Sequence, residues 1–149
     1  MLKITQRLAQ PAETEHVLTL PFELRQKSRF RATLNNGSEA GLILPRGKLI
    51  RSGDCLQAED GTVVRVEAAI EEVSTARHKD SLMIARACYH LGNRHVPLQI
   101  GEGWVRYQHD HVLDEMLTGL GLQVTCEQAT FEPEDGAYKH AGHSHTHSH

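Results

Sequence analysis

At 149 residues and 39% apolar side chains, the chain has material for one ordinary domain or two small ones, each near the lower limit for a self-sufficient core. A net charge of −3 with histidine neutral argues against nucleic acid or an acidic membrane as partner, because both demand an excess of Lys and Arg. No run approaches the roughly 18 consecutive apolar residues of a spanning helix, and the opening "MLKITQRLAQ" lacks a signal peptide's apolar core, so a cytoplasmic protein is expected.

The first half reads as strands. In "RFRATLNNGSEAGLIL", Phe30, Ala32 and Leu34 alternate up to an Asn35-Asn36-Gly37 turn, and Ala40, Leu42 and Leu44 alternate after it, which is a hairpin signal. Pro45-Arg46-Gly47, Ser52-Gly53-Asp54 and Glu59-Asp60-Gly61 supply turn chemistry between further short apolar stretches. A small all-β domain over residues 1–70 is expected.

From Ile70 the period changes. "STARHKDSLMIARACYHLG" carries Ile84, Ala87, Cys88 and Leu91 at helical spacing, with Ser74 or Thr75 as candidate cap and Gly92 as the stop. "HVPLQIGEGWVRYQ" reads as two strands around Gly101-Glu102-Gly103. "DHVLDEMLTGLG" places Val112, Leu113, Met116, Leu117 and Leu120 on one helical face behind Asp110 as N-cap, and "LQVTCEQATF" reads as a last strand. With Thr62 to Val73 as the opening strand, the order is β-α-β-β-α-β, a ferredoxin-like pattern over residues 71–131 and an α+β chain overall. Residues 132–149 are polar, bury little and are expected to form a flexible tail rich in histidine.

Cys55, Cys88 and Cys126 are odd in number and far apart, which fits neither a disulfide framework nor a thiolate zinc knuckle; buried thiols are the expectation. Histidine is the anomaly, with 11 residues, and imidazole binds borderline transition metals. His143, His145, His147 and His149 alternate with Ser and Thr at the C-terminus, which suits weak binding of several ions by a mobile segment, or an expression tag. His95 follows the expected end of a helix, on chain stiffened by Pro97, and needs donors from elsewhere, such as a symmetry mate. His109 and His111 flank Asp110: they share a face if the segment is extended and diverge if it is helical, and Asp110 suits capping better than ligation. No phosphate-binding loop, dinucleotide fingerprint, zinc-protease motif or nucleophile elbow occurs, and neither a general base nor a nucleophile is recognisable, so no enzyme is expected.

The run "LPRGKLIRSGDCLQAEDG", then "VEAAIEEV", then "ACYHLGNRHVPLQI" and a histidine-rich end resembles the urease accessory nickel metallochaperones of the UreE family, over essentially the whole chain. The resemblance implies a homodimer with a peptide-binding-like N-terminal domain and a ferredoxin-like metal domain. It implies Ni(II) delivery for assembly of the urease metallocentre, with the urease apoprotein and its accessory G-protein complex as partners. By the same resemblance the histidine of the Gly92-Asn93-Arg94-His95 motif comes from both protomers to hold the principal ion, and His109 and His111 supply further ligands. Zn(II) and Cu(II) suit the same imidazoles, so general metal storage or buffering is the competing reading.

Overall fold

The computed structural model describes residues 1–136, and the tail histidines His143, His145, His147 and His149 lie outside the described residues. The described chain forms two compact units, Met1–Ala68 and Ala69–Glu134, with Asp135 belonging again to the first.

The first unit is mostly strand. β1 (Leu2–Arg7), β2 (Val17–Leu20), β3 (Arg29–Thr33), β4 (Glu39–Ile43), β5 (Cys55–Ala58) and β6 (Val63–Ala68) form one sheet in the order β2-β6-β5-β1-β4-β3. The β1/β4 and β2/β6 pairs are parallel and the others antiparallel. Alternation decides which residues go inside: Ile4, Leu18, Leu42, Leu56, Val64 and Val66 are all essentially inaccessible and pack as one cluster. The expected hairpin is present, with Phe30 opposite Leu42 and Ala32 opposite Ala40, and Gly37 takes the positive φ (89°) that closes its turn.

One feature departs from an all-β reading: a single helical turn, α1 (Phe22–Arg25), follows Pro21. Four residues are too few to show a helical period. This turn carries the fully buried Arg25, whose Nε donates to the Leu20 carbonyl at 3.0 Å and whose Nη1 donates to the Ile50 carbonyl at 3.2 Å. A buried guanidinium is tolerated only with such acceptors.

The second unit contains β7 (Glu71–Arg77), α2 (Ser81–Asn93), β8 (Gln99–Gly101), β9 (Trp104–Gln108), α3 (His111–Leu120) and β10 (Gln123–Ala129). Its four strands pair antiparallel throughout, in the order β10-β7-β9-β8. Leu91, Ala87 and Ile84 of α2 and Leu113 and Leu117 of α3 pack with Ala76, Val105 and Tyr107 of the sheet. Val112, expected on that apolar face, is instead 61% exposed, while the next residue, Leu113, is buried in the core.

Three expectations about boundaries are corrected. Thr62 to Val73 is not one strand: β6 ends at Ala68 and β7 begins at Glu71, and the two belong to different sheets. No Gly or Pro marks that break, so the sequence does not show it. Ser74 and Thr75 do not cap α2 but lie fully buried within β7; the cap is Asp80, whose carboxylate accepts from the Leu82 N–H at 2.9 Å. Gly92 lies inside the last turn of α2, which runs on to Asn93.

The polar stretch after Phe131 is more tied down than its composition suggests as far as residue 135. The Glu132 N–H donates to Gln99 Oε1 at 3.0 Å, the Glu134 N–H to the Leu98 carbonyl at 2.6 Å, and Asp135 pairs with Arg51 at 3.3 Å.

Candidate metal centre

His95 occupies a different backbone state from the extended chain expected of it. It is exposed, its φ is +59°, and its N–H donates to the Gly92 carbonyl at 3.0 Å, which closes the turn at the end of α2. Left-handed backbone costs an L-residue with a Cβ roughly 1–2 kcal/mol. Among the described residues His95 is the one non-glycine residue at positive φ. The imidazole is thereby presented to solvent on a tight turn.

His109 and His111 diverge. Asp110 caps α3, its carboxylate accepting from the Leu113 N–H at 3.1 Å, as the sequence led one to expect. His111 therefore belongs to the first helical turn, where it is 81% exposed and pairs with Glu115 one turn on at 3.0 Å. His109 instead stays with the sheet, its N–H reaching the Glu72 carbonyl of β7 at 3.4 Å. The i, i+2 spacing spans a change from strand end to helix, and the two rings go separate ways.

The His109 ring enters a polar cluster at the N-terminal end of α3. Its Nδ1 lies 3.1 Å from Ser74 Oγ and 3.2 Å from Asp114 Oδ2, while Asp114 Oδ1 accepts the Tyr107 hydroxyl at 2.7 Å. Burial first, and then the hydrogen bond to Asp114, push the Tyr107 phenol far above its ordinary range, so it remains a neutral donor.

Glu72, His109 and Cys126 bring a carboxylate oxygen, a ring nitrogen and a sulfur within 4.8 Å of one another. The sheet register explains the convergence. Ser74 is opposite both Cys126 of β10 and Tyr107 of β9, so Glu72, Cys126 and the residue two beyond Tyr107 share one face. The Cys126 thiol donates to Glu72 Oε2 at 3.6 Å. Desolvation first, then the Glu72 hydrogen bond and charge, raise this thiol above the usual cysteine range.

The expectation of buried thiols thus holds for Cys55 but not for Cys126, which is exposed; Cys88 is intermediate. Glu72 and Cys126 were not legible as candidate ligands, since only cross-strand register joins them. Alternation in "LQVTCEQATF" does put Cys126 on the face of Val124, and that was the available signal.

Residues 2–69 match the family model described as UreE urease accessory protein, N-terminal domain, and residues 71–149 match its C-terminal domain. The chain belongs to the UreE urease accessory protein family. The urease accessory protein UreE of Alkalilimnicola ehrlichii is 68% identical over 138 residues, covering 93% of this chain and 85% of that protein. That of Citrobacter koseri is 54% identical over 150 residues, covering 100% and 99%, and that of Pseudomonas putida 55% identical over 148, covering 97% and 90%. The two UreE domain matches meet between residues 69 and 71, next to the junction of the two compact units after Ala68. Among the described residues of this UreE-family chain, no helix is long and apolar enough to cross a membrane.

Proposed function

We propose that the chain is a nickel-binding metallochaperone that carries Ni(II) for assembly of the urease metallocentre, binding its cargo without catalytic turnover. It acts in the cytoplasm as a homodimer, and His95 of both protomers holds the principal ion. The observation that carries this reading is the exposed His95 imidazole on a strained turn, in a chain that matches UreE proteins along its length. Strain at a surface position is retained where the side chain has a task. Nickel itself comes from the family resemblance, because imidazole does not choose nickel over copper or zinc.

The antiparallel order β10-β7-β9-β8 with two intervening helices supports reading residues 71–131 as a ferredoxin-like metal domain. Residues 1–70 form the β-rich domain in this reading and take a peptide-binding-like role toward the urease apoprotein and its accessory G-protein complex. Leu82 and Tyr89, one heptad apart on α2 and both more than half exposed, are apolar surface that suits association with a second copy. His109 and His111 act as auxiliary donors, and His143, His145, His147 and His149 as a low-affinity collector that raises the local ion concentration.

Delivery requires release. A site of neutral imidazoles shared across an interface exchanges its ion readily. Calorimetry with Ni(II) on the intact chain, a chain truncated after Tyr138, and that truncation carrying His95→Ala tests the reading. One tight ion per dimer surviving truncation and lost with His95→Ala is expected. Retention of the tight ion in the His95→Ala chain would overturn it. Co-purification with the urease complex separates delivery from general metal buffering.

A further inference from the structure

We infer that Glu72, His109 and Cys126 form a second, thiolate-containing site for a borderline divalent cation, distinct from His95 and built without His111. Two independent features point to it.

The first is donor convergence. Donors of a four-coordinate zinc-like ion stand about 2.0–2.3 Å from the metal. Ligand atoms already within 4.8 Å of one another need to close by only about an ångström, which side-chain torsions supply. All three side chains reach solvent, so an ion has an entry path.

The second is orientation of the imidazole. His109 Nδ1 is engaged by Asp114 Oδ2 and Ser74 Oγ, and Asp114 is in turn held by Tyr107. A carboxylate on Nδ1 favours the tautomer with its proton there and leaves the Nε2 lone pair for a metal. Histidines prepared for ligation are held in this manner, whereas His111 makes one exposed contact, with Glu115.

Binding balances in atoms and charge. The Cys126 thiol donates to Glu72 in the metal-free protein; on binding of a divalent cation its S–H proton leaves to solvent, the thiolate bonds to the metal, and Glu72 neutralises remaining charge. Sulfur, nitrogen and oxygen together suit Zn(II), Ni(II) or Co(II) and not Mg(II) or Ca(II). The fourth position is left to water or to an incoming ligand.

This inference rests on side-chain geometry and is independent of the urease reading. Its test is titration of the reduced, full-length protein with Co(II), read as sulfur-to-metal charge-transfer absorption in the near ultraviolet. Histidines, including those of the tail, are silent in that band. A band that saturates as Co(II) is added is expected. Cys126→Ala should abolish the band, His109→Ala and Glu72→Gln should each weaken the affinity by about 10-fold or more, and Cys88→Ala, His95→Ala and His111→Ala should leave it intact. Because Cys126 is exposed, the alanine variant should fold, and its circular dichroism checks this. Absence of the band, its persistence in folded Cys126→Ala, or its loss with His111→Ala but not with Glu72→Gln would overturn the site. Failure of the His95 site would leave the band unchanged, so the two proposals fail separately.

Discussion

His109 Nδ1 lies 3.2 Å from Asp114 Oδ2, a contact that ties the end of the second unit's sheet to the first turn of α3. The other oxygen of the same carboxylate accepts the Tyr107 hydroxyl at 2.7 Å, so one side chain orients a surface imidazole and satisfies a buried phenol at once.

Asp114→Asn should disturb both tasks. It should lower metal affinity at His109 by about 10–100-fold, as loss of a carboxylate behind a ligand histidine does. Tyr107→Phe removes the donor but leaves the pair with His109, so it should cost about 1 kcal/mol of stability with little change in affinity. Thermal melts and Co(II) titrations on the two variants separate the roles; equal affinity losses in both would show that Asp114 acts only through general packing.

Asp110 stands between two histidines yet spends its carboxylate on the Leu113 N–H. Asp110→Ala should destabilise the second unit by about 1 kcal/mol through loss of the cap. Asp110→Asn preserves a capping acceptor and should leave both stability and the count of bound ions close to those of the parent. A lost ion in Asp110→Asn, measured by calorimetry, would make Asp110 a ligand as well as a cap.

At His95 the backbone conformation and the side chain's proposed task pull in opposite directions. His95→Gly relieves the left-handed strain at φ +59° and should raise the melting temperature relative to His95→Ala, by about 1 kcal/mol in stability. Both variants should lose the principal nickel ion. A glycine variant no more stable than the alanine variant would mean that the turn carries no strain.

Glu127 sits on the opposite face of the same sheet, within 3.5 Å of Arg77 and 3.6 Å of Arg106. A hydrogen bond from Thr75 is the main cause, with the two guanidinium charges behind it, of a carboxyl held below its ordinary value near 4.5. A lowered folded-state value means that the unfolded chain takes up the proton first. The stabilisation is therefore complete above about pH 4.5 and is lost as the pH falls through the lower folded value. Melts of parent and Glu127→Gln should differ at neutral pH and converge in acid; a gap that widened toward low pH would reverse the assignment. About a third of this side chain is exposed, so solvent screens the effect.

Local pattern carried much of the architecture. Alternation around Asn35-Asn36-Gly37 specified a hairpin, helical spacing of Ile84, Ala87 and Leu91 specified α2, and Asp110 ahead of an apolar period specified the start of α3. Each is a property of neighbours in sequence, set by backbone sterics and by the entropy of short turns. Resemblance in the motif order, and the family matches along the chain, reached the family.

Only the tertiary structure decided the rest, because register and strain depend on pairings between distant segments. Ser74 and Thr75 resemble helix caps in the sequence, but the neighbouring β9 and β10 hold them inside a strand. His95 reads as extended before Val96-Pro97, yet its N–H bond to Gly92 turns it left-handed. Glu72 and Cys126 are 54 residues apart, with His109 between them in sequence, and no local period relates the three. An antiparallel ladder fixes which face each residue takes, and a slip of one residue in β10 would send Cys126 to the other side of the sheet.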